Sequence, residues 1–187
     1  MKAVIDTSSL ISLVRYYLLF DKGGKFTRFL EGQILAKNIL VIDKVIEECE
    51  LQGKGQVVNA FPFLKKAKYK TNTSTLTALP KFYRLVDNNF VNRSEKNRLN
   101  DAEYQIKKDE FLNSADLRMI LFAYNNKDTD PVIIITEETG FSNDGKVFKK
   151  IPEICKSIGI TTMSLPEFLS EYKAIDLSID VISTTLF

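Results

Sequence analysis

Three short runs of this 187-residue chain are apolar at every position: "AVI" at 3–5, "ILVI" at 39–42 and "VIII" at 132–135. A strand with one wet face alternates apolar and polar residues, whereas a continuous run has both faces covered, the pattern of a parallel sheet lying between helices. The intervening stretches carry helical spacing. "KAVID" leads into an apolar-periodic stretch that predicts one helix from about Thr7 to Phe20, ended by "KGG" at 22–24. "KFTRFLEGQILAKN" spaces Phe26, Phe29, Leu30, Ile34 and Leu35 at helical intervals, and Asp43 stands at a cap position before "KVIEECELQ". The last third repeats the rhythm: a helix over about 114–125, the strand "PVIIIT", a helix near "IPEICKSIG", the strand "ITTM" and a helix near "PEFLSEYK".

Residues 1–173 are therefore expected to form one α/β domain, of a size that buries one core. Residues 54–112, rich in lysine and in "TNTSTLT" and "DNNFVNRSEKNRLND", are expected as a helical insertion with loops. In the tail, 174–187, Ile175, Leu177, Ile179 and Val181 alternate as in a strand, which suggests an edge strand or a homodimer contact.

Composition removes whole classes of chemistry. The chain has no histidine, so the usual base of a Ser or Cys triad and the H-E-x-x-H zinc site are both absent. Cys49 and Cys155 stand alone, without C-x-x-C spacing, and are expected as reduced thiols packed on helices. No phosphate-binding glycine motif is present, since "DKGGKFT" lacks the required first glycine. A net charge of +2 does not argue for nucleic acid by itself. No run approaches the roughly 20 apolar residues of a membrane span, and "MKAVID" does not read as a signal peptide, so a cytoplasmic protein is expected.

Carboxylates, hydroxyls and lysines remain. Asp6 follows the first strand, at the edge where the sites of open parallel sheets lie, although an Asp before an apolar helix is often only a cap. Asp116 in "SADLRMILFAYN" stands at helical intervals from Ile120 and Ala123, hence toward the buried side. A partly buried carboxylate there needs either a cationic partner or a metal. Glu48 sits on the shoulder of the face formed by Val45, Ile46 and Cys49, and Glu137 and Glu138 follow "PVIIIT" as Asp6 follows the first strand. Taken singly, each glutamate reads as surface charge. If the set converges, each pair at about 4 Å repels by about 4 kcal/mol at an effective dielectric near 20. A divalent ion would relieve that, and an all-oxygen donor set suits Mg2+ or Mn2+.

Four motifs in this order, "VIDTSSLI", the V-x-x-E of Val45 to Glu48, "ADLRMILFA" and the T-x-[DE] of Thr136 to Glu138, resemble the PIN-domain nucleases, whose bacterial members include VapC-like ribonuclease toxins. That resemblance implies a three-layer α/β/α sandwich with a mainly parallel sheet and an acidic Mg2+ or Mn2+ site that hydrolyses RNA phosphodiesters. It matches Asp6, Glu48, Asp116 and Glu138 to the acidic positions, with Asp6, Asp116 and Glu138 as metal ligands. Thr7 or Ser8 is matched to the hydroxyls beside the first acid, and Thr136 and Glu137 stand as supporting residues around the fourth. The family more often has Asp at the fourth position, which leaves Glu137 and Glu138 both open. RNA, and for a toxin a cognate antitoxin protein, are the partners it implies.

Substrate contacts are expected from Lys65, Lys66, Lys68 and Lys70 beside Phe61, Phe63 and Tyr69, and from Lys149 and Lys150. The plainer reading of the first group is a solvated lysine face over core aromatics. Two other functions compete. A haloacid-dehalogenase-like phosphatase needs a second Asp two residues after the first, where this chain has Ser8. A degenerate PIN-like domain would bind RNA or protein without cleaving.

Overall fold

The computed structural model describes residues 2–140 and 145–171; the tail at 174–187 lies outside the described residues. Among the described residues the chain forms a five-stranded, all-parallel sheet between two layers of helices, an α/β/α sandwich. Strands β1 (Lys2–Ile5), β2 (Ile39–Ile42), β3 (Lys70–Thr71), β4 (Val132–Ile135) and β5 (Thr162–Met163) lie in the order β3-β2-β1-β4-β5. Central β1 pairs Ala3 with Ile39 on one side and Lys2 to Ile5 with Val132 to Ile135 on the other. The apolar runs are central because only there do helices cover both faces; Ala3, Val4, Val41, Ile42 and Ile134 are fully buried.

The helices are α1 (Thr7–Ser12), α2 (Lys25–Leu35), α3 (Asp43–Leu51), α4 (Gln56–Ala60), α5 (Pro80–Asn88), α6 (Arg93–Lys96), α7 (Asp101–Leu112), α8 (Ala115–Asn126), α9 (Ile151–Ile158) and α10 (Leu165–Glu171). The single helix expected over Thr7 to Phe20 is in fact three pieces. After α1 the chain widens into a π turn over Leu13–Tyr17, where the Leu18 amide donates to the Leu13 carbonyl five residues back, and then tightens into a 3-10 turn. The widened turn keeps Leu13 in the core while Tyr16, Leu19 and Phe20 face solvent.

The segment 54–112 is not an appendage. Its β3 pairs Val41 with Lys70 and Ile42 with Thr71, completing the sheet as a fifth strand that the sequence pattern did not announce. Phe61, Leu64, Phe82, Val86 and Phe90 from this segment are core residues. Phe82 meets Phe90 edge-on at 5.7 Å and Tyr124 of α8 at 5.3 Å between ring centroids, tying the segment to the helix beneath the sheet. The loop after β3 is fastened by Asp43, whose carboxylate accepts from the Thr73 amide at 3.0 Å and the Thr73 hydroxyl at 2.5 Å. Among the described residues no helix is long and apolar enough to cross a membrane.

This integration has a measurable consequence. Phe82→Ala is expected to lower unfolding stability by about 3–5 kcal/mol, the cost of an aromatic cavity in a close-packed core. Urea denaturation checks it; a loss below about 1 kcal/mol would mean that the segment is packed only loosely on the sheet.

Candidate active site

The chain leaves β1 toward β2 on one side and later returns through β4 on the other, so the carboxyl ends of β1 and β4 flank the crevice where open parallel sheets place their sites. Asp6 is the residue after β1. It caps α1, its Oδ1 accepting from the Ser9 amide at 2.7 Å, and its Oδ2 accepts from the Ser8 hydroxyl at 2.7 Å and the Thr136 hydroxyl at 2.6 Å. Asp6 is thus the cap of α1, and the same side chain also meets the end of β4. Thr136, just past β4, also receives the Glu138 amide at 3.1 Å, so one buried hydroxyl joins the ends of both strands.

Glu48 comes from α3 and reaches across to α1, where its Oε2 accepts from the Thr7 hydroxyl at 2.5 Å and its Oε1 from the Gln52 amide group at 2.7 Å. Cys49, its neighbour, is buried, and burial first and then the nearby carboxylates push its thiol up to about 12, so it is no nucleophile. Cys155 is likewise buried in α9, its thiol pushed up to about 12 by burial, and the two cysteines are unbridged as expected.

Asp116 lies in the first turn of α8, whose cap is Ser114, and is half-buried. Burial raises its pKa first, and the carboxylates of Glu138, Glu48 and Asp6 raise it further, to about 7, with Lys146 the opposing cation. Among the described residues no hydrogen bond offsets this. Four acids on four elements therefore share one electrostatic neighbourhood. Glu137 and Glu138 part company there: Glu138 lines the same groove as Asp116 and caps α9 through the Ile151 amide at 2.9 Å. Glu137 instead points to the Leu165 amide at 2.8 Å, at the start of α10, and its charge helps raise the Tyr17 phenol after burial. Of the two glutamates, Glu138 is the one beside Asp116.

The four carboxylates are hard oxygen donors, and the crowding at Asp116 is what a divalent cation relieves, so the donor set fits Mg2+ or Mn2+. As the side chains stand, no three acidic or cysteine side chains among the described residues converge as an ion cage. The cause is visible: Asp6, Glu48 and Glu138 are each turned onto local hydroxyls or amides.

Beside Asp116 and Glu138 opens a groove of about 470 Å³, lined also by Lys107, Phe111, Lys146, Phe148, Lys149 and Lys150. Lys149 and Lys150 thus stand where the sequence suggested, whereas Lys107, Lys146 and Phe111 had no signal, since nothing in the sequence brings α7 beside the chain after β4. Lys65, Lys66 and Lys68 are exposed on the turns entering β3, at the amino edge of the sheet, opposite the acids. Lys70 is within β3 itself. Phe61, Phe63 and Tyr69 beside them are buried core aromatics.

A family model described as a domain of unknown function, DUF4411, matches residues 4–175. The chain belongs to that family. The match covers all four acids and runs through segment 54–112, in keeping with a DUF4411 domain that includes β3 and α5 to α7. No curated protein matches the chain.

The charge state of the DUF4411 domain's site can be read from stability. The folded pKa of Asp116 lies above its ordinary 3.8, so the native state holds the proton more tightly than the unfolded chain. Its stabilising contribution is full below about pH 4 and is lost as pH rises through about 7. In EDTA, Asp116→Asn is expected to melt higher than wild type at pH 8 and to lose this slope between pH 4 and 8. A variant that melts lower at pH 8 would make Asp116 a partnered structural acid.

Proposed function

We propose that this DUF4411 domain is a PIN-like, Mg2+- or Mn2+-dependent endoribonuclease. The observation that carries the reading is Asp116, a half-buried carboxylate raised to about 7 first by burial and then by three other acids, with no hydrogen bond to offset it among the described residues. A fold seldom keeps such repulsion at the switch point of a parallel sheet unless a cation balances it. The lysine-lined groove beside it supports an anionic substrate. The absence of histidine agrees with a reaction that needs no imidazole.

In this reading Asp6, Asp116 and Glu138 hold the ion, and the divalent ion supplies Lewis acidity and neutralises charge on the phosphodiester. Thr136 and Ser8 fix the Asp6 carboxylate through hydrogen bonds to Oδ2, and Thr7 fixes Glu48. Glu48 orients the attacking water and can take its proton. The groove lysines hold the phosphate backbone and orient the scissile bond over the acids.

One observation favours a second reading, a domain that binds RNA without cutting it. The acids as they stand do not gather into a cage, because three of them are satisfied locally. Mn2+ separates the two. An active site should gain stability from Mn2+ by mass action, about 2.7 kcal/mol at a hundredfold excess over Kd. Asp6→Asn and Asp116→Asn should each abolish Mn2+-dependent cleavage of single-stranded RNA and most of that stabilisation. Cleavage that survives in Asp116→Asn overturns the assignment, and a wild type whose Tm ignores Mn2+ returns the domain to the binding reading.

A further inference from the structure

Between β4 and α9 the chain crosses the groove as a basic strap, Lys146 to Lys150, entered through Gly145 with φ of +69°, a left-handed turn that glycine adopts without strain. The strap is pinned at several points to residues 90–92, far away in sequence. The Asn92 side-chain amide donates to the Lys146 carbonyl at 2.8 Å and its backbone amide to the Val147 carbonyl at 2.8 Å. Val91 and Phe148 form an antiparallel bridge, and the Lys149 amide donates to the Phe90 carbonyl at 2.8 Å. Phe148 is buried and stacks on Phe111 of α7 at 4.2 Å with the rings within 7° of parallel. At the far end the Ile151 amide is held by Glu138.

The lysines of the groove are not equivalent. Lys107 is paired with Glu110 and Lys149 with Glu153, both at 2.9 Å. Lys146 is exposed, lines the groove with Asp116 and Glu138, and enters no ion pair among the described residues. Its charge reaches Asp116, yet the two make no direct salt bridge. A cation kept near an acid but out of contact with it leaves room for an anion between them.

We propose that Lys146 contacts the scissile phosphate and that Asn92 is its positioning residue, with the strap as a clamp held in place by segment 90–92. The role rests on the nuclease reading above, and it gives that segment a task beyond packing: it fixes the backbone from which Lys146 reaches the phosphate. Asn92 acts on Lys146 through the Lys146 carbonyl. The two residues therefore act as one unit, and their effects should not add.

The test measures binding of a labelled single-stranded RNA oligonucleotide with EDTA present, its salt dependence, and Mn2+-dependent cleavage, in wild type, Lys146→Gln, Asn92→Ala and the double variant. Lys146→Gln is expected to lower kcat/KM at least tenfold and to flatten the slope of log affinity against log salt by about 0.7, one phosphate contact on a single strand. Its Tm response to Mn2+ should match wild type. Asn92→Ala should lose less, and should lose nothing further in the Lys146→Gln background, whereas a merely structural role would be additive. The triple change of Lys65, Lys66 and Lys68 to Gln should leave the slope within error of wild type. If Lys146→Gln binds and cleaves as wild type does while Asp116→Asn is inactive, the clamp is wrong and the nuclease reading stands. If wild type does not cleave but binding depends on Lys146, the nuclease reading and with it the scissile-phosphate role fall, and Lys146 is an RNA contact only. A wild type that binds no RNA overturns both.

Discussion

The pairing of β1 with β4 is the constraint on which the site depends. These two strands are adjacent in the sheet but are separated by more than a hundred residues of chain, and their register puts Ile5 opposite Ile135. The Asp6 amide then donates to the Ile135 carbonyl at 3.0 Å, and the Thr136 hydroxyl meets the Asp6 carboxylate at 2.6 Å. A slip of one residue would turn the apolar set of β4 to the opposite faces and carry Thr136 away from Asp6. Burial of the isoleucines and assembly of the acids are therefore specified by the same contacts.

Two aspartates show how the fold treats carboxylates with different tasks. Asp43 begins α3 and Asp21 precedes α2; hydrogen bonds from Thr73 and from Thr27 and Phe26, opposing the effect of burial, hold both below the usual carboxylate range. Each fastens a loop, and each contributes stability above about pH 4 that is lost as pH falls through its depressed pKa. Asp116 has the opposite surroundings, with burial and three acids against it and no donor among the described residues. Such groups cost stability in the free protein, and the polar network around Asp6 and Glu48 keeps the remaining acids in place despite it.

Segment 54–112 links the two levels. Its aromatics close the core through Phe82 and Phe90, and β3 extends the sheet. The same segment supplies α7 as one wall of the groove and residues 90–92 as the anchor of the strap. Stability and the shape of the groove are thus drawn from one stretch of chain, which explains why it reads in sequence as neither clean core nor clean loop.

The sequence by itself determined the parallel sheet and which acids stand at its carboxyl edge. Runs such as "ILVI" and "VIII" admit only strands covered on both faces, and the residue after each such strand must emerge at the carboxyl edge, which fixed Asp6 and the Thr136 to Glu138 stretch. Helical spacing likewise put Asp116 toward the interior and Glu48 on a shoulder. The tertiary structure alone decided among contacts that join distant residues. It parted Glu138 from Glu137, because α9 and α10 draw the two side chains to different helix ends. It added β3, whose two residues are too few to show a period, and it broke the first helix at a π turn. Lys65, Lys66 and Lys68 look like a nucleic-acid patch in one dimension but lie at the amino edge of the sheet, away from the acids, since local composition carries no information about which end of a strand a lysine stands at. Lys146 reached the acids only through the pairing of residues 90–92 with 147–149, a contact between segments more than fifty residues apart that no local pattern encodes.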